Sequence, residues 1–259
     1  MKFSIITVCF NSEKTIKDTI ESVLNQTYSN IEYIIIDGNS NDTTVEIIKY
    51  YEVKFNQKNI SYKWISEPDK GIYDAMNKGL SMANGDLIGI INSDDWFELD
   101  ALSQILKVKR DTLFSIISGN KNKVNNKNKV YKTVENKKDI EKYIGRIMPL
   151  NHPATFVDKS VYEQIGFFNT NYKLSADYEL IFRAYSAGVQ FLFTDKVIVN
   201  MRNTGATHLT KNLFITAKED FEIRKNNKVK FAYLYYIKRL VFNYLVIVRS
   251  KLKNLFNLF

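Results

Sequence analysis

Two adjacent carboxylates, Asp94 and Asp95, end an apolar run in the segment DLIGIINSDDW, Asp86 to Trp96. Side by side, two carboxylates repel one another. A strand tip that keeps both is well explained by a hard divalent cation lying between them and a polyphosphate. The other use of aspartate at this point is to cap the helix that the pattern starts near Leu99. The segment alone does not separate the two uses.

For the pair to face a ligand, the apolar run must be a buried strand whose carboxyl end opens onto a crevice, the usual binding place of an α/β sheet. The rest of the chain supplies such a sheet. Phe3 to Phe10 is an apolar run rich in β-branched residues, and Lys14 to Leu24 then sets Ile16, Ile20, Val23 and Leu24 at helical spacing. IEYIII, Ile31 to Ile36, is a second buried strand that ends at Asp37-Gly38. DGNSNDTT offers several helix caps before Val45 to Tyr51, and Ile60 to Ile65 is a third short strand. Asp74 to Ala83 reads as a helix with Ala75, Met76, Leu80 and Met82 apolar, delivering the chain to the strand that ends at Asp94. Strands separated by helices predict a Rossmann-like, mostly parallel central sheet flanked by helices. NKNKVNNKNKVYKTVENKKDIEK, Asn120 to Lys142, interrupts the order and reads as an exposed hairpin or mobile loop without a domain boundary.

The chain of 259 residues is 45% hydrophobic, enough for one large core with an appendage. Its single cysteine, Cys9, lies in the first apolar run, so no disulfide framework forms and a reducing compartment is expected. The amino-terminal segment reads as a strand and not as a signal peptide, and no run reaches the ~20 apolar residues that span a bilayer. A cytoplasmic body is expected.

The net charge of +9 is unevenly placed: residues 221–259 hold 9 Lys and Arg against 1 Glu, a balance of +8, and residues 1–220 hold 28 against 27. A charge-balanced body without a recognition motif argues against nucleic acid. The tail interleaves basic residues with Phe, Tyr, Leu, Ile and Val, the composition of a helix lying in a membrane interface over anionic lipid. It predicts a peripheral protein at the inner face of a membrane. Packing of the tail on the domain, or on a second subunit as a homodimer, is the alternative. Asn243 breaks its apolar centre, Leu240 to Val248, which is too short to cross.

Four motifs in order, FSIITVCFNSEKTIKDTIESVLNQTY, IIIDGNSNDTT, EPDKGIYDAMNKGLSMANGD and INSDDW, resemble the family 2 glycosyltransferases of the type A nucleotide-sugar-binding fold. Bacterial members that build surface polysaccharides are the most similar in pattern. The resemblance runs from about Lys2 to about Gly205. It implies a catalytic domain over residues 1–220, with a nucleotide-sugar-binding half at 1–118, an acceptor half at 143–220, and a basic amphipathic helical tail at 221–259. It implies Thr7, Asn11, Asp37, Asp69, Asn77 and Asp94 around the nucleotide sugar, and Lys70 near phosphate. It implies Asp94 and Asp95 on the metal, with His208 as a further ligand from a carboxyl-terminal loop, and Asp177 as catalytic base. His152, Tyr178 and Glu179 are implied for the acceptor, and Thr155 beside His152. Where the family often has Asp-x-Asp, this chain has Asn92-Ser93-Asp94-Asp95, one carboxylate fewer.

The expected activity is transfer of a sugar, with inversion, from a nucleotide diphosphate sugar, UDP first among candidates, to a lipid-linked or oligosaccharide acceptor. Departure of a diphosphate leaves negative charge that Mn2+ or Mg2+ stabilises, and hard oxygen ligands favour those ions over zinc. Two other functions use similar parts. A nucleotidyltransferase acting on sugar phosphates would show a glycine-rich, basic phosphate loop near its start, which TVCFNSEKT lacks. A non-catalytic nucleotide-sugar-binding subunit at the membrane would have no need of Asp94, Asp95 and Asp177 together.

Overall fold

The computed structural model describes residues 1–109, 114–125, 127–202 and 212–256, with side chains through residue 248. The first half alternates as the periodicity predicts: β1 (Phe3–Cys9), α1 (Ile16–Leu24), β2 (Ile31–Asp37), α2 (Thr44–Gln57), β3 (Ser61–Ser66), α3 (Ile72–Met82) and β4 (Leu87–Asn92). Every residue of β1 and β2 is buried, because helices cover both faces of the sheet. Odd-numbered Phe3 and Ile5 meet one core with Ile16, Ile20 and Ile48, and even-numbered Ile6 and Val8 meet the other with Met76, Leu80 and Ile181.

β3, β2, β1 and β4 are neighbours in that order and parallel. Their register pairs Cys9 with Asp37 and Val8 with Asn92, so three turns leave the sheet from one edge. That shared edge is what assembles a crevice from distant segments.

The second half comprises β5 (Trp96–Phe97), α4 (Ala101–Val108), β6 (Ser115–Val124), β7 (Val130–Val134), α5 (Ile140–Ile144), a single 3₁₀ turn (His152–Ala154), β8 (Thr155–Asp158), α6 (Lys159–Ile165), α7 (Ala176–Ser186) and β9 (Gln190–Arg202). The sheet continues β4-β8-β6-β9-β5, with β8 antiparallel to both β4 and β6 and with β9 parallel to β6. The whole is therefore a mixed sheet, parallel through its first four strands. Within the lysine and asparagine stretch, β7 folds back antiparallel on β6. The hairpin reading of that stretch is the one the structure shows.

α8 (Leu213–Asn226) and α9 (Ala232–Phe256) follow. α8 runs through the boundary expected at residue 220 and buries Ile223 in the core, so the packed body extends past that point. The tail proper is α9.

Candidate active site

A cavity of about 800 Å³ opens at the shared edge of β1 and β4, lined by residues including Phe10, Asn11, Lys14, Asp42, Asp69 and Asp94. The turns that build it are tied to one another. Asn11 takes a left-handed conformation (φ 48°), one that asparagine tolerates, donates its N–H to Ser40 Oγ at 2.8 Å and accepts from Asn41 N at 2.9 Å. Asp37 is fully buried and accepts from Ser40 N at 2.9 Å and from the Ser40 and Ser66 hydroxyls at 2.5 and 2.6 Å. It holds the loop that follows β2. Asp69 accepts from Gly71 N at 2.8 Å, and a Cβ on Gly38 would stand 2.5 Å from its Oδ2, so a larger residue after Asp37 would displace the Asp69 carboxylate. Phe10, 58% exposed on the cavity wall, offers an aromatic face on which a nucleobase can stack. Cys9 is inert: burial, and next the Asp37 carboxylate, raise its thiol pKa.

Asp94 and Asp95 have different surroundings. Asp94 lines the cavity. Asp95 is 1% exposed and its Oδ1 accepts the backbone N–H of Arg202 at 3.0 Å; burial and then the Asp94 charge hold its pKa well above the usual carboxylate range. Neither caps a helix, since α4 starts after Asp100. Arg202, at the end of β9, secures this turn: its Nη1 donates to Asp94 O at 2.7 Å, its Nη2 to the Asp18 carboxylate, and its guanidinium lies over the Trp96 ring at 4.5 Å.

The donors that could hold a cation are hard oxygens. They are the Asp94 carboxylate and Asn92 Oδ1, which is buried with no hydrogen-bond partner among the described residues. They fit Mg2+ or Mn2+. Among the described residues no three His, Cys, Asp or Glu side chains come together to cage an ion. Phosphate oxygens and water would therefore supply most of its shell.

Asn92 and Ile72 also line a second cavity of about 480 Å³, and Asp177 and His152 lie on its wall. Asp177 sits in the first turn of α7 and accepts from Tyr73 Oη at 3.1 Å; Ser175 is the N-cap residue and donates its hydroxyl to Asp220. Burial, and then the Asp177 charge, raise the Tyr73 phenol well above its ordinary pKa, so it stays a donor. Burial lowers the His152 pKa and Lys121 adds to the effect, against the pull of Asp177, which keeps the imidazole neutral. A third cavity of about 590 Å³ also reaches Asp177, and on its far wall stand Lys238, Arg239 and Phe242 of α9.

Several expected residues face elsewhere. Thr7 is fully buried in mid-strand and accepts from Tyr33 Oη at 2.9 Å, on the core side of β1. The Asn77 amide is committed at both ends to the backbone of Phe168, donating at 2.9 Å and accepting at 3.0 Å, so it joins α3 to the segment between α6 and α7. Tyr178 is 2% exposed, donates to Ile144 O and packs under Arg224; it is absent from the second cavity but lines the third with Asp177. Glu179 accepts from Arg183 Nε at 2.7 Å and belongs to the clamp that Arg183 makes on the carbonyls of residues 165 to 167. Thr155 is buried against Ser118 and Asn151. His208 lies outside the described residues. Phe10, Lys14, Tyr73 and Lys121 line the cavities without having been singled out in the sequence.

Comparison with known proteins bears on the family and the fold. The family described as "Glycosyl transferase family 2" matches residues 4–168. An uncharacterized glycosyltransferase of Mycobacterium tuberculosis is 31% identical over 185 residues, covering 70% of this chain and 68% of that protein. Among solved structures, S. aureus TarS in complex with UDP-GlcNAc superposes with a TM-score of 0.66 at 18% identity, over 86% of this chain and 64% of that one. A mannosyltransferase from Pyrobaculum calidifontis in complex with GDP-Man and Mn2+ gives 0.66 at 13% identity, over 98% of this chain and 80% of that one. At these identities the two structures show a shared fold.

Proposed function

The chain belongs to glycosyl transferase family 2, and from that premise we propose an inverting transfer of a sugar from a nucleotide diphosphate sugar to an acceptor in surface-polysaccharide synthesis. One observation carries the reading: the two cavities meet at Ile72 and Asn92, with Asp94 beyond the seam on one side and Asp177 on the other. A sugar at the seam would have its leaving group in one cavity and its attacking hydroxyl in the other, the opposed placement that inversion needs. The acceptor oxygen bonds to the anomeric carbon, the carbon–phosphate oxygen bond breaks, and the nucleoside diphosphate leaves with the electron pair. Asp177 takes the hydroxyl proton, held in place by the Tyr73 phenol.

The donor cavity is acidic. Among the described residues Glu13, Asp42, Asp69 and Asp94 line it against the single cation Lys14. A diphosphate entering among four carboxylates is repelled unless a cation joins it, which supports metal dependence. Asp94 and Asn92 Oδ1 would hold Mn2+ or Mg2+, whose charge would stabilise the departing diphosphate. TarS was crystallised with UDP-GlcNAc and the mannosyltransferase with GDP-Man and Mn2+, and UDP is the donor nucleotide we put first.

α9 supports a lipid-linked acceptor at an anionic membrane surface. Leu234, Ile237, Val241, Phe242 and Leu245 are all exposed on it, between 46 and 59%, while Asn243 is buried and donates to Leu213 O at 2.8 Å. Among the described residues no helix is long and apolar enough to cross a membrane. A helix that packs by one side, exposes a large apolar face and carries Lys238 and Arg239 suits the interface of anionic lipid. Because α9 also walls the third cavity, a lipid-anchored acceptor would reach Asp177 from the membrane side.

Calorimetric titration of UDP, GDP and dTDP, with Mn2+ and with EDTA, tests the donor reading. Binding of one nucleotide that needs the metal is expected; no binding of any of the three would overturn it.

A further inference from the structure

We propose that the acceptor carries an oxyanion, phosphate or carboxylate, close to the hydroxyl that receives the sugar, and that the β6–β7 hairpin binds it through Lys121, Lys123 and Lys132. The inference rests on reading the second cavity as the acceptor site.

Alternation along β6 sets Lys121 and Lys123 on one face. The hairpin register places Lys132 of β7 directly opposite Lys123. All three line the second cavity, and Lys173 joins them from the segment before α7. Like charges facing one another across adjacent strands destabilise a sheet. Among the described residues none of these four lysines forms an ion pair with a carboxylate. Half-buried Lys121 has a single hydrogen-bond acceptor among the described residues, the Met201 thioether sulfur at 3.3 Å, and a thioether is a weak one. Burial and the nearby Lys123 both lower the Lys121 pKa, with Asp95 and Asp177 opposing. An entering oxyanion would relieve the repulsion and give each ammonium a charge-assisted hydrogen bond.

The donor does not account for these lysines. Its cavity has Lys14 as its lining cation, and Lys121, Lys123, Lys132 and Lys173 line the second cavity but not the first. The first cavity is acidic and calls for a cation; the second is basic and calls for an anion.

The test uses paired probes in the full chain saturated with UDP and Mn2+: glucose 1-phosphate, glucuronate and farnesyl diphosphate, against glucose and farnesol. Each charged probe that matches the acceptor's own anion should bind at least about tenfold more tightly than its neutral twin, and the preferred one identifies the anion as sugar phosphate, uronate or lipid diphosphate. Lys123→Gln/Lys132→Gln should reduce that binding to the neutral level while its unliganded melting temperature holds or rises, because opposed charges are removed. Equal binding of charged and neutral probes, absence of charged-probe binding, or undiminished binding by the double variant would overturn the proposal. UDP titrated into the parent and the double variant, and the probes titrated into both again without UDP, separate the two readings. Failure of UDP with lysine-dependent anion binding intact sinks the donor assignment alone, and UDP binding without it sinks the anion site alone.

Discussion

At the scale of single residues, the proposed roles divide among carboxylates according to what surrounds them. Asp177 faces a cavity with Tyr73 donating to it at 3.1 Å, so Asp177→Asn keeps the shape and loses the proton acceptor. The expected result is a fall in kcat of roughly 10³-fold with the affinity for UDP unchanged; transfer at the normal rate would remove Asp177 from the role of base. The metal pair gives a second prediction. Asp94 lines the donor cavity whereas Asp95 is 1% exposed and bound to the Arg202 N–H. Asp94→Asn should lower Mn2+-dependent UDP affinity by roughly 100-fold, about 3 kcal/mol, and Asp95→Asn, which can still accept from Arg202 N, should retain most of it. The opposite ranking in titrations of the two variants would reassign the ligand. The apolar strand made the position of this pair legible in the sequence. Which of the two points outward was not, because that depends on β9 arriving more than a hundred residues later in the chain. Glu179 illustrates the same limit: its near neighbour Asp177 faces the second cavity, and the helical period turns Glu179 toward Arg183.

At the scale of elements, local periodicity carried the first half of the fold because β1, β2 and β4 are mostly apolar runs and a helix follows each of β1, β2 and β3. The antiparallel insertion of β8 between β4 and β6 has no local signature, since Thr155–Asp158 is four residues whose partners lie far along the chain. Glu32 was equally hidden. It looks like one polar residue in the run IEYIII, yet it is fully buried and gathers Ser4 Oγ, Asn84 N and the Lys2 ammonium around β1, β2 and the turn before β4. Burial alone would raise its pKa; the hydrogen bonds from Ser4, Asn84 and Lys2 outweigh that and lower it from 4.5 to about 2. A depressed carboxylate contributes stability that is complete above its ordinary pKa and is lost as pH falls through the folded-state value. Melting temperature should therefore drop between about pH 4.5 and pH 2, and Glu32→Gln should flatten that part of the curve while lowering stability at pH 7 by roughly 3 kcal/mol. A variant as stable as the parent at pH 7 would show the cluster to be idle.

At the scale of the whole molecule, opposite charges are sorted along one path, from an acidic donor cavity through the seam at Asn92 to lysines and then to the basic, apolar α9. α9 is what would set this path against a surface. Its apolar residues are exposed at positions 234, 237, 241 and 245, one side of the helix, whereas Tyr236 stacks on Phe221 of α8 at 4.8 Å and Asn243 is buried on the other. Five basic residues from Lys238 to Lys253 accompany it, each worth about 1 kcal/mol near anionic lipid at low salt. Val241→Asp/Leu245→Asp should release the protein from phosphatidylserine vesicles while UDP binding is untouched, since neither residue lines a cavity that holds Asp94 or Asp177. Binding of the parent should weaken as salt rises, because the lysines and arginines act through screened charge. If the parent ignores vesicles and the double variant instead halves its mass in solution, the apolar face belongs to a second copy of the chain, and the acceptor route past α9 would then run along a subunit interface and not along a bilayer.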